Sequence, residues 1–252
     1  MSAPEVDPVA EGKGDEGRRD QSALRLFGSA VKEIVVVVGM ALALSFVVKT
    51  WLLQAFFIPS GSMEDTLLVG DRVVVSKLTP GPIDLQRGDV VVFQDPGGWL
   101  DVVPPVERGG VAGALHDGLV FVGLLPAESE DHLIKRVIGL PGDHVVCCDK
   151  EHRLTVNDVS IGEEYLKPGD LPSSLSFDVT VPEGHVWVMG DHRSDSEDSR
   201  FHGSSADGSD GAVPISSVTG RAVAVVWPLG RATWLSDHAE TFAGIPPREP
   251  GS

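Results

Sequence analysis

The sequence predicts a mainly β protein, an antiparallel sandwich or barrel, set behind a single apolar helix. Three observations predict it. One long apolar run stands near the N-terminus. Seven short β-branched runs, punctuated by Gly, Pro and Asp, follow it. The charge of −17 is almost wholly a property of the part after that run, since residues 59–252 carry −16 of it. A surface so acidic excludes a nucleic-acid binder, which needs a basic face to neutralise phosphates.

The elements follow in order. Residues 1–22 hold almost no large apolar side chain and read, with the residues up to 30, as a disordered tail. The apolar run extends from Ile34 to Ile58. As a helix its 25 residues would span roughly 37 Å, enough for a hydrocarbon core of about 30 Å. Its apolar residues surround the whole circumference, unlike the one-sided stripe of a core helix. Lys49 can snorkel and Trp51 suits the headgroup belt, so the transmembrane helix is placed at 31–53. A cleavable leader is disfavoured because a long tail precedes the run and no A-x-A-like site follows. Arg18, Arg19, Arg25 and Lys32 precede the run, and only Arg72 and Lys77 soon follow it. The positive-inside rule then puts the N-terminus in the cytoplasm and residues 59–252 outside.

Strands are expected at 71–78, 88–95, 132–140, 143–148, 154–157, 185–190 and 221–229. Residues 96–131 are long and Gly/Pro-rich, with an apolar patch at 114–125, and read as an insertion loop. Cys147 and Cys148 are adjacent. Consecutive strand residues face opposite ways, so two unpaired thiols are expected, one inward and one outward. No zinc-ligand spacing accompanies them.

Three stretches carry chemistry. In IPSGSMEDTLLVGDRVVV (58–75), Ser62 follows a small glycine and lies two residues from a second hydroxyl, Ser60. In HLIKRVIGLPGD (132–143), Lys135 interrupts an apolar run. Facing outward it would be ordinary; facing inward its charged form would be disfavoured, leaving a neutral amine able to take a serine proton. Arg136 would then face the opposite side. The third, MGDHRSDSEDSRFHG (189–203), is a crowded polar loop that spacing alone leaves open between a solvated loop and a weak calcium loop.

PSGSM, RGDVVVF (87–93), IKRVIGLPGD and GDHRSDSEDSR, in that order behind an apolar anchor, resemble the bacterial type I signal peptidases, membrane-bound Ser/Lys proteases of peptidase family S26. The resemblance covers about residues 30–230. It implies a catalytic β core at 54–143 and 182–235, a small β subdomain at 144–181 and a flexible tail at 236–252. It implies Ser62 as nucleophile, Lys135 as general base, and the Ser60 hydroxyl with the Ser62 N–H as oxyanion hole. Ser196 would orient the lysine amine, Asp198 and Arg200 would form a supporting salt bridge, and Asp191 would belong to the adjoining turn. Ile58, Met63, Leu67, Leu133 and Ile134 resemble the lining of a small S1 pocket, and Phe56 that of S3. The implied substrates are signal-peptide-bearing preproteins cut after Ala-x-Ala, bound as an added strand beside residues 56–60. Membrane lipid and export machinery are the implied surroundings, and no cofactor or metal is implied.

The pattern is departed from at Asp65, often Pro in the family, and at His192, often Asn. Ser29–Ala–Val–Lys32 fits S-x-x-K, but no K-T-G accompanies it. A Ser-His-Asp triad using His192 is the rival chemistry, a self-cleaving Ser/Lys repressor the rival enzyme, and a tethered β module that binds exported chains without cutting them the rival of another class.

Overall fold

The computed structural model describes residues 16–100, 110, 113, 118, 131–203, 205 and 208–246, with the side chains of 16–30 and of 49 and 50 left aside. The chain forms two compact units, Met1–Phe46 and Val47–Ser252.

The first unit holds most of one helix, α1, Glu16–Trp51. Within it Val31–Val48 has a mean hydropathy of 2.3 and is 0% buried, so it is long and apolar enough to cross a membrane. The helix begins at Glu16, well inside the stretch expected to be disordered to residue 30. Residues 16–30 include three Arg, two Ala and two Leu, good helix formers, and extending an existing helix avoids the cost of a new nucleus.

The strands of the second unit all pair antiparallel. Its strands are β1 Leu53–Phe57, β2 Arg72–Ser76, β3 Val90–Gln94, β4 His132–Gly139, β5 His144–Cys147, β6 Leu154–Val156, β7 Val159–Ser160, β8 Phe177–Thr180, β9 His185–Met189, β10 Val213–Pro214, β11 Val218–Trp227 and β12 Thr233–Trp234. A large sheet runs β1-β2-β11-β3-β4-β9-β10, with β12 paired to β11, and a four-stranded sheet runs β7-β6-β5-β8. All seven expected runs form strands. The five additional strands include β1, whose residues had been counted within the apolar run.

Alternation along β3 and β4 divides the core. Val90 and Val92 join Phe56, Ile58, Met63, Leu67, Val73 and Ile134 in one cluster. Val91 and Phe93 join Val137, Val188, Val213 and Trp99 in another. A third cluster, Val145, Leu154, Val156, Tyr165, Val179 and Trp187, serves the small sheet.

Two expectations are corrected here. Phe242 and Ile245, 6% and 7% exposed, pack into the third cluster from a one-turn helix and its exit, so the segment to residue 246 is not a loose tail. Asn157 Nδ2 also donates to the Pro246 carbonyl at 3.0 Å. Cys147 and Cys148 are joined by a disulfide. Because β5 ends at Cys147, Cys148 is released from the alternation that would have turned the thiols apart. The proposed insertion and its apolar patch lie mostly outside the described residues.

Candidate active site

The turn between β1 and β2 carries Ser60 and Ser62 and is closed on itself. Ile58 N–H donates to the Asp71 carbonyl and Gly70 N–H to the Ile58 carbonyl, both at 2.9 Å. Met63 and Leu67, 0% exposed, anchor it from below, and the buried Asp71 carboxylate receives the Leu68 N–H at 2.9 Å. Ser62 is thereby held by packing and backbone bonds together.

Lys135 pairs across β3 with Val91, and Arg136 with Val90, so adjacent residues of β4 face opposite ways. Lys135 Nζ and Ser62 Oγ lie 2.7 Å apart, with both residues buried. Burial pushes the Lys135 amine down from 10.5 to about 8; the Asp198 and Asp191 carboxylates act in the other direction. Near pH 8 an appreciable fraction of this amine is therefore neutral, with a serine proton within reach. Ser60 Oγ stands 3.5 Å from Ser62 Oγ.

Behind the pair the polar loop after β9 is knit by charge. Asp198 accepts from Arg200 Nε at 2.7 Å, from Ser196 Oγ at 2.8 Å and from the Gly190 N–H at 2.9 Å. Ser196 thus gives its hydroxyl proton to Asp198, and no bond joins it to the Lys135 amine as the resemblance implied. A carboxylate already fixed by a guanidinium is the stronger acceptor. Asp191 is bound by Arg136 at 2.6 and 2.9 Å and by Thr66 Oγ1 at 2.6 Å, which links β4, the loop and the serine turn. Gly190 must lack a side chain: a Cβ there would meet Ser196 Oγ at 2.3 Å and the Ser62 carbonyl at 2.4 Å.

A cleft of about 500 Å³ opens over Ser62 and Lys135. Of the expected pocket residues only Leu133 lines it. Phe56, Ile58, Met63, Leu67 and Ile134 instead form the buried core beneath the serine turn. Trp99, Leu100 and Phe201 supply its apolar walls, and Asp195 and Glu197 also line it. Sequence reading missed these three apolar residues, because Trp99 and Leu100 sit in irregular chain and Phe201 in a single helical turn, Ser199–His202, all too short to show a period. It also passed over Arg136 as a structural partner, although strand alternation had placed its side chain opposite Lys135.

His192 does not form a triad: its ring lies 3.1 Å from the Gly61 carbonyl, and only its backbone N–H reaches Ser62, at the carbonyl oxygen. His202 stacks on Trp99 with ring centroids 4.2 Å apart. Among the described residues no group of three His, Cys, Asp or Glu side chains could hold a metal ion.

Known proteins resemble this chain over most of its length. The family model for signal peptidase, peptidase S26, matches residues 31–227. A probable signal peptidase I of Mycobacterium leprae is 37% identical over 228 residues, covering 81% of this chain and 78% of the relative. Signal peptidase I of Mycobacterium tuberculosis (strain H37Rv) is 36% identical over 248 residues, covering 91% of this chain and 83% of the relative. A solved signal peptidase I from Enterococcus faecalis is 26% identical, covers 55% of this chain and 97% of its own, and gives a TM-score of 0.34. With a serine and a buried lysine in contact on an antiparallel β scaffold, and with relatives matched over most of their length, the chain belongs to the signal peptidase family, peptidase S26, and is a protease.

Proposed function

We propose that the protein is a membrane-bound endopeptidase that removes signal peptides from exported preproteins, with Ser62 as nucleophile and Lys135 as general base. The observation that carries the reading is the 2.7 Å contact between Ser62 Oγ and an amine that burial brings down to about 8. Ser62 Oγ attacks the scissile carbonyl carbon while neutral Lys135 takes the hydroxyl proton. The C–N bond breaks, the lysine ammonium returns that proton to the leaving amine, and an ester remains on Ser62. Water, giving a proton to Lys135, then attacks the ester, and Ser62 leaves with that proton. The Ser62 N–H and the Ser60 hydroxyl face the developing oxyanion, where each such donor is worth about 3 kcal/mol.

Specificity for Ala-x-Ala follows from an extended substrate lying beside residues 56–60, whose alternate side chains point to one face. Leu133, with Trp99, Leu100 and Phe201, gives that face its apolar lining beside Ser62. The α1 segment Val31–Val48 anchors the enzyme in lipid, with the N-terminus cytoplasmic and the β unit outside, near the export machinery. The test is precursor cleavage in lipid or detergent by the full chain and by Ser62→Ala and Lys135→Ala. Each variant should lose at least about a thousandfold in kcat; retention of most activity by either would overturn the Ser/Lys mechanism.

A further inference from the structure

The residue where this chain departs from the family's Asn sits against the serine turn. His192 donates its backbone N–H to the Ser62 carbonyl at 3.2 Å. Its ring nitrogens have their shortest contacts with two groups of fixed character: Nδ1 is 3.1 Å from the Gly61 carbonyl oxygen, with the carboxylates of Glu64 and Asp195 farther off at 3.5 and 3.8 Å, and Nε2 is 3.2 Å from Lys167 Nζ. A carbonyl only accepts and an ammonium only donates. Both contacts are hydrogen bonds in one protonation form alone, the neutral ring with its proton on Nδ1. Lys167 is itself held, by Glu64 Oε2 at 2.5 Å and by its own N–H to the Asp191 carbonyl at 3.1 Å. The ring is therefore fixed from behind and aimed at Gly61.

The Gly61 carbonyl and the Ser62 N–H are the two ends of one peptide group. The carbonyl also accepts the Glu64 N–H at 2.9 Å, so with His192 both of its lone pairs are engaged. A doubly bonded carbonyl fixes the plane of its amide and polarises the N–H at the other end, since hydrogen bonds in a chain strengthen one another. We infer that His192 is a positioning residue for the Gly61–Ser62 peptide, orienting and strengthening the backbone donor of the oxyanion hole without touching substrate. The inference rests on the Ser62/Lys135 reading above.

The test separates the two ring nitrogens. An Asn amide nitrogen can take the place of Nδ1, whereas a Gln amide nitrogen reaches toward the place of Nε2. Precursor cleavage by the full chain is measured for His192→Ala, His192→Gln and His192→Asn, with melting temperatures alongside. His192→Ala and His192→Gln should lower kcat about five- to tenfold, the fold-change of one ordinary hydrogen bond, with KM within about twofold. His192→Asn should restore kcat to within about twofold. Equal kcat for the Gln and Asn variants overturns the inference, as does a loss confined to KM. Should His192→Ala fail to fold, the Gln and Asn pair decides alone. Ser62→Ala is run beside them: if it retains cleavage, the Ser/Lys reading falls and takes this inference with it. If it is inactive while the Gln and Asn variants match, only the role of His192 is lost.

Discussion

Arg136 and Asp191 form an ion pair at 2.6 Å with both side chains 0% exposed, one strand position away from Lys135. The guanidinium also donates to the Gly88 carbonyl at 2.7 Å and lies over the Tyr165 ring at 4.3 Å. Removing one member of such a pair leaves a buried charge without a partner, at a cost of about 3–5 kcal/mol. Arg136→Met should therefore lower unfolding free energy by that amount in urea titrations. Joint replacement with Asp191→Leu should recover much of the loss, because no lone charge then remains.

Lys135 makes activity and stability respond to pH in linked ways. Its amine titrates near 8 in the fold and near 10.5 when exposed. Cleavage should rise with pH through about 8 as the amine becomes neutral; a rate that needed pH above 10 would refute the buried base. The unfolded chain binds the extra proton between pH 8 and 10.5, so stability rises across that window and is lowest below it. Keeping the buried charge costs about 3 kcal/mol at pH 7. Lys135→Met should thus be inactive yet more stable at pH 7 by up to that amount, with the advantage shrinking toward pH 10. Melting curves across this range check it.

Gly190 tests how tightly the site is packed. The Cβ of Gly190→Ala would press on Ser196 Oγ and on the Ser62 carbonyl. Either the Ser62 turn or the Ser196 segment must move, and a shift of 1 Å near the reacting atoms can cost about a hundredfold. The expected result is a kcat loss of that order, larger than any fall in melting temperature accounts for.

Ser196 acts through Asp198, to which its hydroxyl donates. Asp198 keeps Arg200 and the Gly190 N–H when that bond is removed. Ser196→Ala should cost about 1 kcal/mol in stability. It should slow cleavage less than tenfold and leave the pH inflection near 8. A displaced inflection would show direct contact with the lysine instead.

Phe242 tests the C-terminal packing. It is 6% exposed within the core of the small sheet. Phe242→Ala should cost about 3–5 kcal/mol, a core value, where a loose tail would register almost nothing. Denaturant titration distinguishes the two.

What could be read from the chain depended on periodicity. Lys135 and Arg136 were placed on opposite faces because strand alternation is a local rule, and Ser62 was marked by its small neighbour and its place after the apolar run. β1 escaped because Leu53–Phe57 is apolar on both sides of the helix end, where composition does not change. Phe242 and Ile245 escaped because a few apolar residues among Asp, His and Glu give no period, and their burial depends on a distant sheet. The disulfide escaped because it depends on where β5 stops. Ser196 was assigned a partner through resemblance, and whether its oxygen lies within reach of the amine is decided only in three dimensions.

The loop between β7 and β8 contributes more than a border. Glu163 pairs with the buried Arg193, Pro172 accepts from the same guanidinium at 2.6 Å, and Tyr165 covers Arg136. Excising residues 144–181 to obtain a minimal soluble protease would strip counter-charge from Arg193 and cover from Arg136 at once. The part that looks dispensable on a diagram is thus unsuited to trimming, and shortening for expression or crystallisation belongs at the N-terminal helix instead.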